Sequence, residues 1–160
     1  TPLQMANVIA AIANGGTLYR PTLIDHIGAG GNAPDEKPPS EVNGQLPLSA
    51  DQLAVLQGAL WDVTHAGSGT ATHRFQNFAV PVAGKTGTAE APPGLPHAWF
   101  VGYAPAEPFT APDGRYVEGP ELAIAVVLEH TGEGSEAAAP LFRRVVEAYY
   151  GLEATAFPWE

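Results

Sequence analysis

Cysteine is absent from the 160-residue chain. That excludes disulfide scaffolds, thiol nucleophiles and cysteine-ligated zinc together. Basic residues are scarce: 7 lysines and arginines stand against 17 acidic residues, for a formal net charge of −10. Such a balance argues against nucleic acid or an anionic membrane surface as a partner, since phosphates are bound by positive charge. Long apolar runs are missing as well. Leu122 to Leu128 is among the longest, far below the roughly 20 residues a membrane-spanning helix needs. No start methionine or signal peptide opens the chain, and Thr1-Pro2 reads as the beginning of a piece cut from something longer.

What the chain does have is a core's worth of apolar residues, 45%, together with 18 glycines and 16 prolines. Length and composition fit one domain with many turns. Thr1, Pro2 and Gln4 form a capping box with proline at N1, so a helix should start at once. Leu3, Met5, Val8, Ile9 and Ile12 predict that this helix is largely buried, and Asn14-Gly15-Gly16 should end it. Leu18 to Ile24 reads as an extended piece, with Pro21 marking an edge. Residues 28–41 carry no apolar periodicity and predict a flexible exposed loop. Ser49 and Gln52 cap a second helix with a Leu53, Leu56, Leu60, Val63 stripe, running out near Gly67. Three strands follow, Val80 to Glu90, Ala98 to Ala104 and Leu122 to Glu129, the first two joined closely enough to be antiparallel. Residues 105–120 read as a longer connection. A last helix starts near Pro140 and ends at Gly151, with Leu141, Phe142, Val145, Val146 and Tyr149 expected inward and Arg143, Arg144 and Glu147 outward. The tail, 152–160, is expected to be loosely held. The fold class is therefore α+β: an antiparallel sheet of at least three strands with helices packed on it.

Chemistry concentrates in Gly84-Lys85-Thr86-Gly87-Thr88. Lys85 is one of two lysines, and the other, Lys37, lies in the expected loop. Two glycines weaken a strand but allow close approach of another backbone. The period of two puts Lys85 and Gly87 on one face and Thr86 and Thr88 on the other. A ligand that uses both sets must lie along the free edge of the strand as an added strand would, with an anionic group suited to the lysine and the hydroxyls. A solvated edge strand with a gatekeeper lysine is the competing reading. A phosphate-binding P-loop is excluded, because its first glycine falls on Ala79 and Glu90-Ala91-Pro92-Pro93-Gly94 cannot open a helix. The five histidines, His26, His65, His73, His97 and His130, show no metal-ligand spacing. Trp99 and Phe100 are adjacent on a strand and must face opposite sides, so core packing suits one and site lining the other.

Lys85-Thr86-Gly87 resembles the third motif of the penicillin-binding proteins and serine β-lactamases. The blocks Thr1 to Pro21, Gly67 to Ala71, Gly84 to Glu90, His97 to Pro105, Leu122 to Glu129 and Ala138 to Val145 are similar, in order, to those of a class B penicillin-binding protein, most of all the elongation-type transpeptidase. The resemblance implies the C-terminal portion of a transpeptidase domain of that fold, and a D,D-transpeptidase acting through a serine acyl-enzyme. Its partners would be peptidoglycan stem peptides ending in D-Ala-D-Ala, β-lactam antibiotics and other cell-wall elongation proteins, with no cofactor and no metal. It implies the extracytoplasmic face of the bacterial cytoplasmic membrane, with an anchor outside this chain. Lys85 would set charge in the site. The Thr86 and Thr88 hydroxyls would bind the ligand's carboxylate beside Gly87, and the Thr88 backbone N–H would form half of an oxyanion hole.

The chain also departs from that pattern. The family needs S-x-x-K and S-x-N, yet Asn43, Gln52, Ala71 and Ala138 stand three residues after the four serines, and Val42, Asp51, Thr70 and Ala137 two after. No nucleophile is expected within these residues, and the chain alone should be inactive. A non-catalytic β-lactam- or peptidoglycan-sensing domain, or a structural domain of the same fold, is the alternative. The resemblance implies that Ala98 to Ala104 lies between the Lys85 strand and Leu122 to Glu129, whose far side would pair with strands outside these residues; Leu122 to Leu128, apolar on both faces, should then expose an edge and drive self-association unless Leu18 to Ile24 covers it.

Overall fold

The computed structural model describes residues 1–24, 26–28 and 37–157. Helix α1 (Pro2–Ala13) opens at Thr1, whose hydroxyl accepts the Gln4 N–H while the Gln4 side chain reaches back to the Thr1 backbone nitrogen. Asn14 ends it by bonding Thr17 through both its amide groups, with Gly15 and Gly16 at φ of 88° and 105°. Strand β1 (Thr17–Tyr19) pairs antiparallel with β2 (Val42–Gln45) in a small separate sheet. The extended piece thus stops before Pro21, and β2 is an element that carried no strand signal in the sequence. Residues 29–36 of the expected loop lie outside the described residues, and Lys37 to Glu41 carry no regular structure.

Helix α2 (Ala50–His65) has the expected Ser49 and Gln52 capping box and buries Leu53 and Leu60. One turn, α3 (Thr72–Phe75), follows. Strands β3 (Ala83–Ala89) and β4 (His97–Ala104) lie antiparallel, Lys85 opposite Val101 and Gly87 opposite Trp99. The connection after β4 contains a short hairpin, β5 (Phe109–Thr110) with β6 (Tyr116–Val117). Strand β7 (Leu122–Leu128) completes a sheet of order β3-β4-β7, all antiparallel. A π-helical turn, Gly134–Ala138, runs directly into α4 (Ala139–Tyr149).

The sheet is covered on both faces. Ile9 and Ile12 of α1, Leu53 and Leu60 of α2 meet Ala83, Val101 and Tyr103 on one side. Phe142 and Val146 of α4, with Phe75 of α3, meet Phe100 and Ala98 on the other. Phe142 and Phe100 cross edge to face with centroids 4.8 Å apart, a preferred aromatic geometry. As expected of neighbours on a strand, Phe100 is fully buried, while Trp99 on the opposite face is half-buried.

Three expectations are corrected, and one alternative falls away. Helix α1 is buried only along Ile9, Ala11 and Ile12, because a helix lying on one face of a three-stranded sheet hides one stripe, and Leu3, Met5 and Val8 stay exposed. Helix α4 turns Phe142, Val146 and Glu147 inward and leaves Leu141, Val145 and Tyr149 at 37 to 51% exposure. Two apolar stripes one residue apart compete for the core there, and Glu147 enters it because its charge is met by Arg143 Nε at 2.8 Å, the Thr155 hydroxyl at 2.6 Å and the Thr155 N–H at 3.0 Å. Those bonds also hold the tail: Phe157 is buried beneath the Arg144 guanidinium, so residues up to 157 are docked, and 158–160 lie outside the described residues. Finally, Leu18 to Ile24 does not cover β7, since β1 pairs with β2 instead.

Candidate functional site

Among the described residues, strand β3 pairs with β4 alone, so one of its edges is open. Its seven residues divide by face as a period of two demands. Lys85, Thr86 and Gly87 line a groove of about 410 Å³ with Trp99 and Val101 of β4, Met5 of α1 and its cap Thr1. The Thr86 and Thr88 hydroxyls face partners away from β4. The Thr86 hydroxyl is 2.8 Å from that of Thr70, and the Thr88 hydroxyl donates to Glu133 Oε2 at 3.0 Å. Gly87 is small where size matters, since a Cβ there would stand 3.1 Å from the Trp99 Cβ.

The open edge is legible from a side chain. Lys85 Nζ donates to the Thr86 carbonyl at 2.7 Å, so that carbonyl is turned away from β4. Backbone groups alternate in direction along a strand, so the Thr88 N–H points to the same free edge. The arrangement puts an ammonium group, two hydroxyls and outward backbone groups along one exposed line. It can pair with an extended ligand and receive an anion at the Lys85 end.

The neighbourhood is braced from behind. Thr70 sits in the Gly67 to Ala71 turn, where a Cβ on Gly69 would lie 2.2 Å from the Asp62 carbonyl oxygen. The turn leads into α3, whose Arg74 Nε donates to the Ser135 carbonyl at 3.1 Å and whose guanidinium also pairs with Glu136. Burial opposes the charge on Glu136, but His73 Nε2 at 3.0 Å and Arg74 outweigh it and hold the carboxyl below its ordinary range. Gly134 rests on the strand pair itself: a Cβ there would be 2.2 Å from the Trp99 oxygen and 2.5 Å from the Gly87 oxygen. The π-helical turn is therefore seated directly on β3 and β4.

All four residues singled out by sequence, Lys85, Thr86, Gly87 and Thr88, line this edge. Thr70, Glu133 and Gly134 were missed as site residues. Thr70 lay inside a block already noted for its likeness to the family, which was the available signal; Glu133 carried none. A larger depression, about 820 Å³ beside Tyr19 to Ile24 and Lys37 to Glu41, gathers no comparable line of groups, and its Arg20 is paired with Glu41 at 3.1 Å. His97 and His130 touch edge to face at 4.6 Å, and no cluster suited to a metal ion occurs among the described residues.

The model of the penicillin-binding protein transpeptidase domain matches residues 1–147. The chain belongs to that family. Among curated transpeptidase relatives, it is 32% identical over 164 residues to the peptidoglycan D,D-transpeptidase MrdA of Haemophilus influenzae, which covers 93% of this chain and 23% of that protein. To the peptidoglycan D,D-transpeptidase PbpA of Mycolicibacterium smegmatis it is 33% identical over 166 residues, covering 92% and 29%. Penicillin-binding protein 2B of Streptococcus pneumoniae superposes with a TM-score of 0.75 at 27% identity, over 98% of this chain and 26% of that one. Penicillin-binding protein A of Mycobacterium tuberculosis, solved as an imipenem acyl-enzyme complex, superposes with a TM-score of 0.67 at 30% identity, over 93% and 30%. This transpeptidase-family chain thus spans about a quarter of the length of the relatives it matches. The expected α+β fold, an antiparallel sheet with helices packed on it, is the fold found, and Ala98 to Ala104 lies in the middle of that sheet.

Proposed function

We propose that this chain is the C-terminal portion of the transpeptidase domain of a class B peptidoglycan D,D-transpeptidase, supplying the Lys85-Thr86-Gly87 wall of the active site. The observation that carries the reading is the open edge of β3, with Lys85, Thr86 and Thr88 along it. A stem peptide ending in D-Ala-D-Ala lies along this edge as an added strand. Its terminal carboxylate is met by Lys85 and by the threonine hydroxyls, Thr86 foremost because the Thr88 hydroxyl donates to Glu133. A serine outside these residues attacks the carbonyl of the penultimate D-Ala. The developing oxyanion is held by the Thr88 N–H together with the nucleophile's own N–H. The peptide C–N bond then breaks, the terminal D-Ala leaves with a proton on its nitrogen, and an ester to the serine remains. An amine from a neighbouring stem peptide takes the acyl group and completes the cross-link. A β-lactam opens its ring amide in the same seat, so no leaving group departs.

Other cell-wall elongation proteins are the expected partners of the longer protein, at the extracytoplasmic face of the cytoplasmic membrane. No helix among the described residues is long and apolar enough to cross a membrane. The missing S-x-x-K and S-x-N support catalytic incompleteness of this chain by itself. A fluorescent penicillin should therefore leave the isolated chain unlabelled and label the longer protein at a serine. In the longer protein, Lys85→Ala should slow acylation at least about tenfold while leaving thermal stability nearly unchanged, since an exposed lysine head adds little to folding. Equal acylation rates at equal stability would refute the role of Lys85, and labelling of the isolated chain would refute its incompleteness.

A further inference from the structure

The Thr88 hydroxyl is already engaged, donating to Glu133 Oε2 at 3.0 Å. The carboxylate is exposed, but its backbone is anchored. The Glu133 carbonyl accepts the N–H groups of Glu136 and Ala137 at 3.1 Å each, and Gly134 beside it rests on the backbone of Gly87 and Trp99. A negative charge is thus held at one end of the strand edge whose other end carries Lys85. Lys85 and Thr88 stand three positions apart, about 10 Å along an extended strand. The edge is polarised: ammonium and hydroxyl groups at Lys85, Thr86 and Thr70, carboxylate at Thr88. An acidic residue before a helix also complements the helix N-terminus, but that role needs no contact with Thr88.

We propose that Glu133 is a specificity-determining residue that disfavours an anionic group, and favours a cationic or N–H-donating one, on the part of a ligand lying beside Thr88. The ligand's own carboxylate is thereby directed to Lys85, Thr86 and Thr70, and the Thr88 side chain contributes less to binding it than the Thr86 side chain. This inference rests on the transpeptidase reading above. One unit charge about 5 Å from another in water changes binding about fourfold. An anionic and a cationic ligand should therefore differ about fifteenfold, more where the groove excludes water.

The test uses the longer transpeptidase containing this chain and three penicillins with the same benzyl side chain, bearing an α-carboxylate, an α-hydrogen or an α-amino group. Second-order acylation rates should rise in that order. Glu133→Gln should shrink the amino-to-carboxylate ratio about fifteenfold, and Glu133→Lys should invert it. Raising salt should compress the ratio in the parent and not in Glu133→Gln. A ratio unmoved within twofold by both variants, with acylation intact, overturns the role of Glu133 and leaves the transpeptidase reading standing. No acylation of the parent by any of the three overturns that reading, and this inference with it.

Discussion

Replacing Gly134 by alanine puts a methyl group into the strand pair that carries Lys85. The added Cβ would stand 2.2 Å from the Trp99 oxygen, 2.5 Å from the Gly87 oxygen and 3.0 Å from the Gly87 nitrogen. Ordinary contact begins near 3.4 Å, so the π-helical turn must lift by about 1 Å. No rotamer change relieves the overlap, because all three atoms are backbone of two paired residues. Overpacking of this kind costs about 1–3 kcal/mol, and a rigid two-strand wall puts it at the upper end. Working the other way, alanine is better than glycine in a helix by about 1 kcal/mol. The overlap should win, for a net loss of about 2 kcal/mol. Gly58 in the middle of α2 separates the two effects, since a Cβ there meets nothing within 4 Å. Gly58→Ala should therefore gain about 1 kcal/mol. Urea denaturation of the three chains followed by circular dichroism reads both numbers. If Gly134→Ala is as stable as the parent while Gly58→Ala gains, the seating of the turn on β3 and β4 is not as rigid as argued.

Two further outcomes follow from other contacts. Burial opposes the charge on Glu147, yet the Thr155 hydroxyl and N–H and the Arg143 guanidinium outweigh it and hold the carboxyl below its ordinary value of 4.5. A depressed folded-state value means that Glu147 adds stability above about pH 4.5 and loses it as pH falls through the folded value beneath. Denaturation midpoints against pH should show a shallower acid decline in Glu147→Gln, which should also be less stable at pH 7 by roughly 3 kcal/mol because Arg143 loses its counter-charge and one of the two accepting oxygens becomes an NH2 facing donors; an unchanged acid decline would show that Glu147 does not carry it. Strand β7 bonds β4 on one side, and no strand pairs its other edge among the described residues. An apolar open edge is a template for pairing, so sedimentation of the isolated chain should show concentration-dependent association, and a strictly monomeric folded chain would refute it.

Sequence by itself determined whatever depends on near neighbours. The capping boxes at Thr1 and Ser49, the three long strands and the opposite faces of Lys85 and Thr86 follow from local hydrogen bonding and from periods of 3.6 and 2. Tertiary structure decided the rest. Which of two adjacent apolar stripes on α4 entered the core depended on Phe75 and Phe100, distant in sequence. Glu147 could be buried only because the tail brings Thr155 to it. Strand β2, with Gly44 and two polar residues among its four, exists because β1 offers it a partner. Thr70 and Glu133 reach the Lys85 strand from turns 16 and 45 residues away in the chain. No periodicity reports such a meeting, because side chains brought together by chain crossing leave no spacing in the sequence. The motif singled out the Lys85 strand; the fold alone set a carboxylate against one end of it.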